Sequence, residues 1–243
     1  MKLLVRIICA SALVFVIAAS GFSQTEKVDP TRFQFGDQVI TIPAPEDFEE
    51  AASQFPTVKN VMTRTEAQGN DMLAVHLPHA DCEKLRAGES VAFNFYTKVS
   101  ARSAIRESDY PAAHFAELIA EFRKTRTQVL DVNGAEMKSL LERLNQSLSD
   151  LTKSDAKVDM NQPIYLGEFD TRPNVYSSMI LMTIKSNIGD GGKDTVIAAG
   201  LTFLRVKQRL IYVYTYRRYE SKADIETVRD FTKKWVGQIL AAN

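Results

Sequence analysis

Two β-rich runs and an amphipathic helix at the C-terminus constrain the fold of this chain most strongly. Val196–Val206 and Arg209–Tyr219 are joined by Lys207-Gln208, which predicts a long hairpin. Ser221 and Asp224 have the spacing of a capping box and predict a helix start. The residues after them form one apolar stripe at helical spacing, made of Ile225, Val228, Phe231, Trp235, Val236, Ile239 and Leu240. Because a two-stranded hairpin is marginal alone, we expect this stripe to lie across the sheet that contains the hairpin.

Further strand-type runs precede this C-terminal unit. They are Phe33–Phe35, Val39–Ile42, Val58–Glu66, Met72–Leu77, Val91–Val99, Ile164–Phe169 and Val175–Ser186. Pro45 predicts the start of a short helical turn through Glu46–Ala52. Proline is tolerated in a first helical turn because the amide hydrogen that it lacks would make no hydrogen bond within the helix there. Ala80–Ala87 predicts a helix that ends at Gly88.

The segment Asp109–Thr152 differs in character and predicts a helical hairpin. Pro111 lies in the first turn of its first helix, and Asn133 with Glu136 is a second capping-box candidate. The second helix carries a stripe of Met137, Leu140, Leu141, Leu144, Leu148 and Leu151. Such a stripe usually indicates core packing or a helix–helix seam, and occasionally a groove for a partner.

The last predicted strand is apolar on both faces, because Tyr212, Tyr214 and Tyr216 alternate with Ile211 and Val213. A strand of this kind is typically central and covered on both sides. We therefore predict an α+β domain over residues 24–243, with an antiparallel sheet of about seven to nine strands built of hairpins. The helical hairpin at 109–152 and the C-terminal amphipathic helix are expected to cover its two faces.

Residues 1–23 have the pattern of a secretory signal peptide. Lys2 and Arg6 form a positively charged n-region, and Ile7–Ala19 forms an apolar h-region. The small residues that follow favour cleavage after Ser20 or Ser23. Removal leaves 28 basic and 30 acidic residues and no membrane span, and it places the protein in the periplasm or outside the cell. This balanced charge argues against nucleic acid and anionic membrane as partners. An uncleaved anchor is the alternative.

His76, His79 and Cys82 form an H-x-x-H-x-x-C pattern whose imidazole and thiolate groups suit zinc or copper. Pro78 interrupts the segment, so a surface loop with incidental histidines is the competing interpretation. Cys82 is the single cysteine beyond residue 23, which excludes an intrachain disulfide in the processed chain.

Three other patterns have alternative interpretations. Tyr212, Tyr214 and Tyr216 are either core residues or the lining of a groove for a peptide or apolar ligand. Glu168 and Asp170 are either a carboxylate pair for acid–base chemistry or solvated charges with a local ion pair to Arg172. Residues 189–195 superficially suggest a phosphate loop, but their spacing favours a hairpin turn.

Three segments resemble a group of exported bacterial proteins of uncharacterised function. The resemblance rests on FGDQVITIPAPEDF, IYLGEFDTRPNVYS and the C-terminal LRVKQRLIYVYTYRRYESKADIETVRDFTKKWVGQILAAN. It covers most of the chain after the leader and implies no activity and no site residues. The order of hairpins, helix, further hairpins and closing helix is similar to the PsbP/DcrB-like α+β fold, whose members are mostly extracytoplasmic accessory proteins.

The sequence therefore predicts an exported cell-envelope protein that is a non-enzymatic binding or accessory protein. Its partner is a protein or a small ligand, and no cofactor is indicated, since nucleotide-binding and catalytic fingerprints are missing from the sequence. The alternatives are a hydrolase that uses His76 or His79 with Glu83 or Cys82, and a metal-binding protein at the same cluster.

Overall fold

A computed structural model describes residues 29–152, 157–187 and 194–243 of the chain. The helices in these ranges are α1 (Pro56–Arg64), α2 (His79–Arg86), α3 (Ala112–Val129), α4 (Ala135–Thr152) and α5 (Lys222–Ala241). The strands are β1 (Arg32–Phe35), β2 (Gln38–Thr41), β3 (Phe48–Glu50), β4 (Asn70–Pro78), β5 (Phe95–Arg102), β6 (Val158–Met160), β7 (Ile164–Asp170), β8 (Val175–Ser186), β9 (Thr195–Val206) and β10 (Arg209–Arg218). The predicted signal peptide and residues 189–192 lie outside the described ranges, so both interpretations stay predictions.

Eight of the described strands form one antiparallel sheet, which confirms the predicted α+β class. The strand order is β3-β4-β5-β10-β9-β8-β6, and β7 also pairs with β8. β1 and β2 make a separate two-stranded ribbon. After β5 the chain leaves the sheet through α3 and α4 and returns as β6 to β10, so that β10 pairs with β5 at the centre. None of the helices in the described ranges combines the length and hydropathy needed to span a membrane.

The closing hairpin is present as predicted. Arg209 pairs with Val206, and the two connecting residues, Lys207 and Gln208, have φ angles of 45° and 59°. Two consecutive positive φ angles are typical of the two-residue turns that join hairpin strands, because the twist of such a turn matches the right-handed twist of the strands. The connection therefore fixes the register along the whole of β9 and β10.

α5 packs across this hairpin, which confirms that the two bury one another. Trp235, Val236 and Ile239 share one buried cluster with Ile211 and Val213 of β10. The helix approaches β9 closely at Gly200, where an added Cβ would lie 3.2 Å from both Thr232 Oγ1 and Val228 Cγ1. The absence of a side chain at Gly200 thus allows the helix to sit on the strand.

The opposite face of the sheet is covered by the other four helices. Its core combines the tyrosines of β10 with side chains of α3 and α4, including Phe115, Phe122, Met137 and Leu144. The ribbon β1–β2 instead adds Phe35 and Ile40 to the α5 side. β10 is therefore covered on both faces, as its alternation predicts.

Two local predictions at the N-terminal end are wrong. Val58–Glu66 is not a strand: most of it belongs to α1, which begins at Pro56 and buries Val58, Val61 and Met62. This spacing of three and four is helical. Glu46–Ala52 is not a helical turn either, because Phe48–Glu50 pairs with β4 as an edge strand. Tertiary pairing overrides the local proline signal there.

The capping box at the start of α5 gives a prediction about acid stability. Asp224 accepts hydrogen bonds from the Arg217 side chain at 2.6 Å and from the amides of Glu220 and Ser221 at 3.0 and 2.8 Å. The Arg217 bond and then the two amides lower the pKa of Asp224 from 3.8 to about 2. The stabilisation is therefore present above the unfolded pKa and disappears as the pH falls from about 4 to 2.

Wild-type protein is expected to lose about 1–2 kcal/mol more stability across that interval than Asp224→Asn, which keeps a capping oxygen but no charge. Urea unfolding followed at a series of pH values measures the difference. Parallel pH profiles for the two proteins would contradict this assignment.

Candidate functional site

The structure does not bring His76, His79 and Cys82 together. His76 lies on the face of β4 that contacts α5, with its ring 5.2 Å from that of Trp235. Cys82 is buried in the cluster on the opposite face, and the side chain of His79 is 55% exposed beside Glu49. Across the described residues, no three His, Cys, Asp or Glu side chains form a group that could hold a metal ion.

The chemistry of these side chains is that of structural groups. Burial lowers the pKa of His76 to about 3, and its Nδ1 lies 3.0 Å from Thr97 Oγ1. Burial, followed by the charge of Glu49, raises the pKa of Cys82 to about 12. A neutral buried imidazole and a protonated thiol on opposite faces of a sheet do not make a nucleophile–base pair. The geometry therefore gives no support to a His76–Cys82 catalytic pair or to a metal site at these residues, and a hydrolase that uses His79 with Glu83 stays an untested prediction.

The tyrosine row is packed core. Tyr212, Tyr214 and Tyr216 are all buried beneath the helical cover. The rings of Tyr214 and Tyr216 stack at 6.0 Å, and Tyr96 of β5 stacks on Tyr216 at 4.8 Å. The row therefore does not line an open groove, and of the two interpretations the structure shows the core one.

Glu168 and Asp170 are held in separate ion pairs. Arg123 of α3 donates two hydrogen bonds to Glu168, at 2.7 and 2.6 Å. Arg172 pairs with Asp170 at 2.6 Å, as the local ion-pair interpretation predicts. The hydrogen bond from Arg123 lowers the pKa of Glu168, so this carboxylate is charged at neutral pH.

The strongest candidate site is an aromatic groove beside α5, which we define by Phe48, Phe95, Phe231 and Trp235. It has a volume of about 220 Å³. The ring of Phe231 lies 5.0 Å from that of Phe48 and 4.8 Å from that of Phe95, and Phe48 meets Phe95 edge to face at 5.1 Å. Phe95 and Phe231 are only partly buried, so their rings offer an apolar surface to a ligand.

The wall of the aromatic groove is a turn that the sequence builds locally. The amide of Phe48 donates to the carbonyl of Pro45 at 3.1 Å, and Asp47 between them has a φ of 62°. Aspartate is among the few residues other than glycine that adopt this conformation readily. Glu46 in the same turn forms an ion pair with Lys234 of α5 at the mouth of the groove.

Neighbouring side chains hold the aromatic groove in shape. Trp235 Nε1 donates to the carbonyl of Pro43 at 2.8 Å, which fixes the indole ring. The guanidinium of Arg217 lies 5.1 Å from the centre of the Phe95 ring and is itself held by Asp224. The rings are therefore pre-positioned, which reduces the entropy that a ligand must overcome.

A larger cavity of about 640 Å³ lies between α4 and the ends of β6 and β8. Its charged lining mixes both signs, namely Lys138, Glu142, Lys157, Asp159, Lys185 and Asp194. Such a lining selects neither anions nor cations, whereas the aromatic groove is lined by four aromatic rings. We therefore base the functional proposal on the aromatic groove.

Sequence reasoning missed the aromatic groove because of one backbone conformation. Strict alternation places Val91, Phe93 and Phe95 on one face of a strand. In the structure Phe93 has a φ of 47°, and β5 begins only at Phe95. Val91 and Phe93 consequently join the core beneath the helices, whereas Phe95 contacts Phe231 on the other face. A bulky residue with positive φ leaves no pattern in the sequence.

No family model, curated protein or solved structure matches this chain. The resemblance to exported bacterial proteins and to the PsbP/DcrB-like fold therefore stays a prediction.

Proposed function

We propose that this chain is an exported, non-enzymatic binding protein of the cell envelope, and that its aromatic groove receives one large apolar side chain of a partner protein. The observation that supports it most is the meeting of three phenylalanine rings and Trp235 around an open space of about 220 Å³. Small-molecule sites usually measure about 300–1,000 Å³, so this groove suits a single inserted side chain better than a complete ligand.

The surroundings of the aromatic groove match the anatomy of a protein interface. Its floor is apolar and aromatic, and its mouth carries Glu46, Lys234 and Gln238. Protein interfaces combine such an aromatic centre with a polar rim, and few central residues supply most of the binding energy. Phe231 occupies that central position because it contacts Phe48, Phe95 and Trp235.

The export part of the proposal is supported by the leader pattern of residues 1–23. Cleavage is expected after Ser20 or Ser23. Mass spectrometry of the protein recovered from its native cells identifies the first residue directly. A cytosolic protein that retains Met1 would refute export without affecting the groove proposal.

Trp235 provides an internal reporter for groove binding, because it is the only tryptophan of the chain and lines the groove. We expect short peptides with one exposed phenylalanine to change the Trp235 emission, and the same peptides with alanine in its place to leave it unchanged. Phe231→Ala should weaken the interaction about tenfold, since central aromatic contacts contribute about 1–2 kcal/mol or more.

The matched control is Ile164→Ala, which removes an apolar side chain that is 60% exposed on the edge strand β7. This variant should bind the phenylalanine peptides as the wild type does. Equal emission changes with the phenylalanine and alanine peptides, or unchanged binding by Phe231→Ala, would refute the groove assignment.

A further inference from the structure

Arg102, at the end of β5, is a buried cation that has no counter-charge among the residues that the structure describes. Its side chain lies on the face of the sheet opposite α5, and the residue is 9% exposed. Within the described ranges, Arg102 Nε and Nη1 are buried and have no hydrogen-bond acceptor, and no carboxylate pairs with this guanidinium. An unpaired charge in the interior is costly, so a buried arginine normally has an anionic partner.

The buried carboxylate of Glu66, which contacts the same face of β5, already has partners. Glu66 Oε2 lies 2.8 Å from Lys98 Nζ and accepts a hydrogen bond from Ser100 Oγ at 2.7 Å. Glu66 Oε1 accepts the Ala67 amide at 3.0 Å. Lys98, Ser100 and Arg102 follow each other at every second residue of β5. Together with Glu66 they make a buried group of two cations and one anion.

In the described part of the chain, two further polar atoms near Arg102 lack partners. Asn70 pairs with Arg102 across the β4–β5 register, and its buried Oδ1 has no donor. The Tyr212 hydroxyl on β10 is also buried without a partner. Burial and then the neighbouring Tyr110 raise the pKa of Tyr212, and the positive charge of Arg102 partly opposes this rise.

The guanidinium lies at the end of the sheet and not at its centre. Gly69 is exposed in the turn before β4, and an added Cβ there would be 3.7 Å from Arg102 Nη1. The Ser103 amide donates to the Gly69 carbonyl at 3.0 Å and holds this turn against the end of β5. The Arg102 guanidinium therefore lies directly beneath a solvent-exposed turn.

We infer that Arg102, Tyr212 and Asn70 form a binding site for a small oxyanion that carries a hydroxyl group, as hydrogen phosphate and 2-hydroxy acids do. Oxyanion oxygens accept from the Arg102 guanidinium and from the Tyr212 hydroxyl. The hydroxyl of the ligand donates to Asn70 Oδ1. One ligand thus satisfies all three unpartnered groups and neutralises the excess positive charge.

Thermal unfolding of the full chain in inorganic phosphate, lactate, acetate or chloride, at equal ionic strength, tests the inference. Phosphate or lactate at about 10 mM should raise the melting temperature above the chloride value, because a ligand that binds only the folded state stabilises it. Acetate lacks the hydroxyl and should act more weakly. A rise with phosphate alone identifies a phosphate site, and a rise with lactate alone identifies a hydroxy-acid site.

Arg102→Met keeps the apolar stem and removes the charge, so it should weaken anion binding at least tenfold. Tyr212→Phe keeps the ring and should weaken binding by several-fold, which provides a second test if Arg102→Met does not fold. Arg64→Met, on the exposed end of α1, is the matched control and should respond as the wild type does. Equal melting temperatures in all four salts, or an undiminished phosphate response in both site variants, would overturn the site.

Discussion

Replacing Trp235 by alanine is expected to lower the free energy of unfolding by about 4 kcal/mol. The indole is 1% exposed and lies in the cluster that joins α5 to β10 and the β1–β2 ribbon. Its removal also leaves the Pro43 carbonyl without the Nε1 donor at 2.8 Å. Urea unfolding followed by circular dichroism measures the loss, since the variant has no tryptophan emission.

Trp235→Phe distinguishes the cavity from the hydrogen bond. The phenyl ring keeps most of the apolar contact and loses the Nε1 donor, so we expect a loss of about 1–2 kcal/mol. If the free energy of unfolding of Trp235→Ala were within about 1 kcal/mol of the wild-type value, the Trp235 ring would not anchor α5. Phe231→Ala is the better variant for binding tests, because Phe231 is only partly buried.

Replacing Lys98 by methionine is expected to cost about 3–5 kcal/mol, because it removes the ion-pair partner of the buried Glu66 carboxylate. The Lys98 side chain is 1% exposed and that of Glu66 is 5% exposed, and the two are joined at 2.8 Å. Lys98 Nζ also lies 5.1 Å from the centre of the Tyr214 ring, so the ammonium is held on two sides. Urea unfolding measures the change in free energy.

The double variant Lys98→Met with Glu66→Leu is expected to recover much of that loss. An apolar pair of similar volume removes the uncompensated charge, although the Ser100 hydroxyl and the Ala67 amide lose their acceptor. A double-mutant cycle reports the coupling between the two residues. Lys59→Met, on the exposed side of α1, is the control and should change stability by less than about 0.5 kcal/mol. Strictly additive effects of the two single changes would contradict a coupled buried pair.

Trp235 and Lys98 lie on opposite faces of the sheet. Each substitution can therefore be tested for its effect on stability while ligand binding is measured on the other face. Trp235 anchors the α5 face, which also carries the aromatic groove. Lys98 lies under the helical cover with the tyrosine row and Arg102. Variants on one face are therefore expected to leave the ligand response on the other face intact, provided that the protein remains folded.

Local sequence patterns were sufficient to predict the C-terminal hairpin and helix. The turn at Lys207-Gln208 and the capping box at Ser221 act within a few residues, and the stripe that includes Trp235 and Ile239 has an unmistakable helical period. The predicted two-sided cover of β10 follows from the alternation of Ile211 and Val213 with the tyrosines. The antiparallel α+β class was predictable because each of these signals is short-ranged and they agree with one another.

The sites were decided by contacts between segments that are distant in the chain. The positive φ of Phe93 turns Phe95 to the α5 face, where Phe48 of β3 and Phe231 of α5 meet it. Lys98 and Arg102 have the alternation of a solvent-facing strand, yet the helical cover buries them. The sequence by itself determined the elements and the class, through periodicity and caps. Only the tertiary structure determined which side chains share a groove or a buried charge, because strand order and helix docking place residues that no local spacing relates.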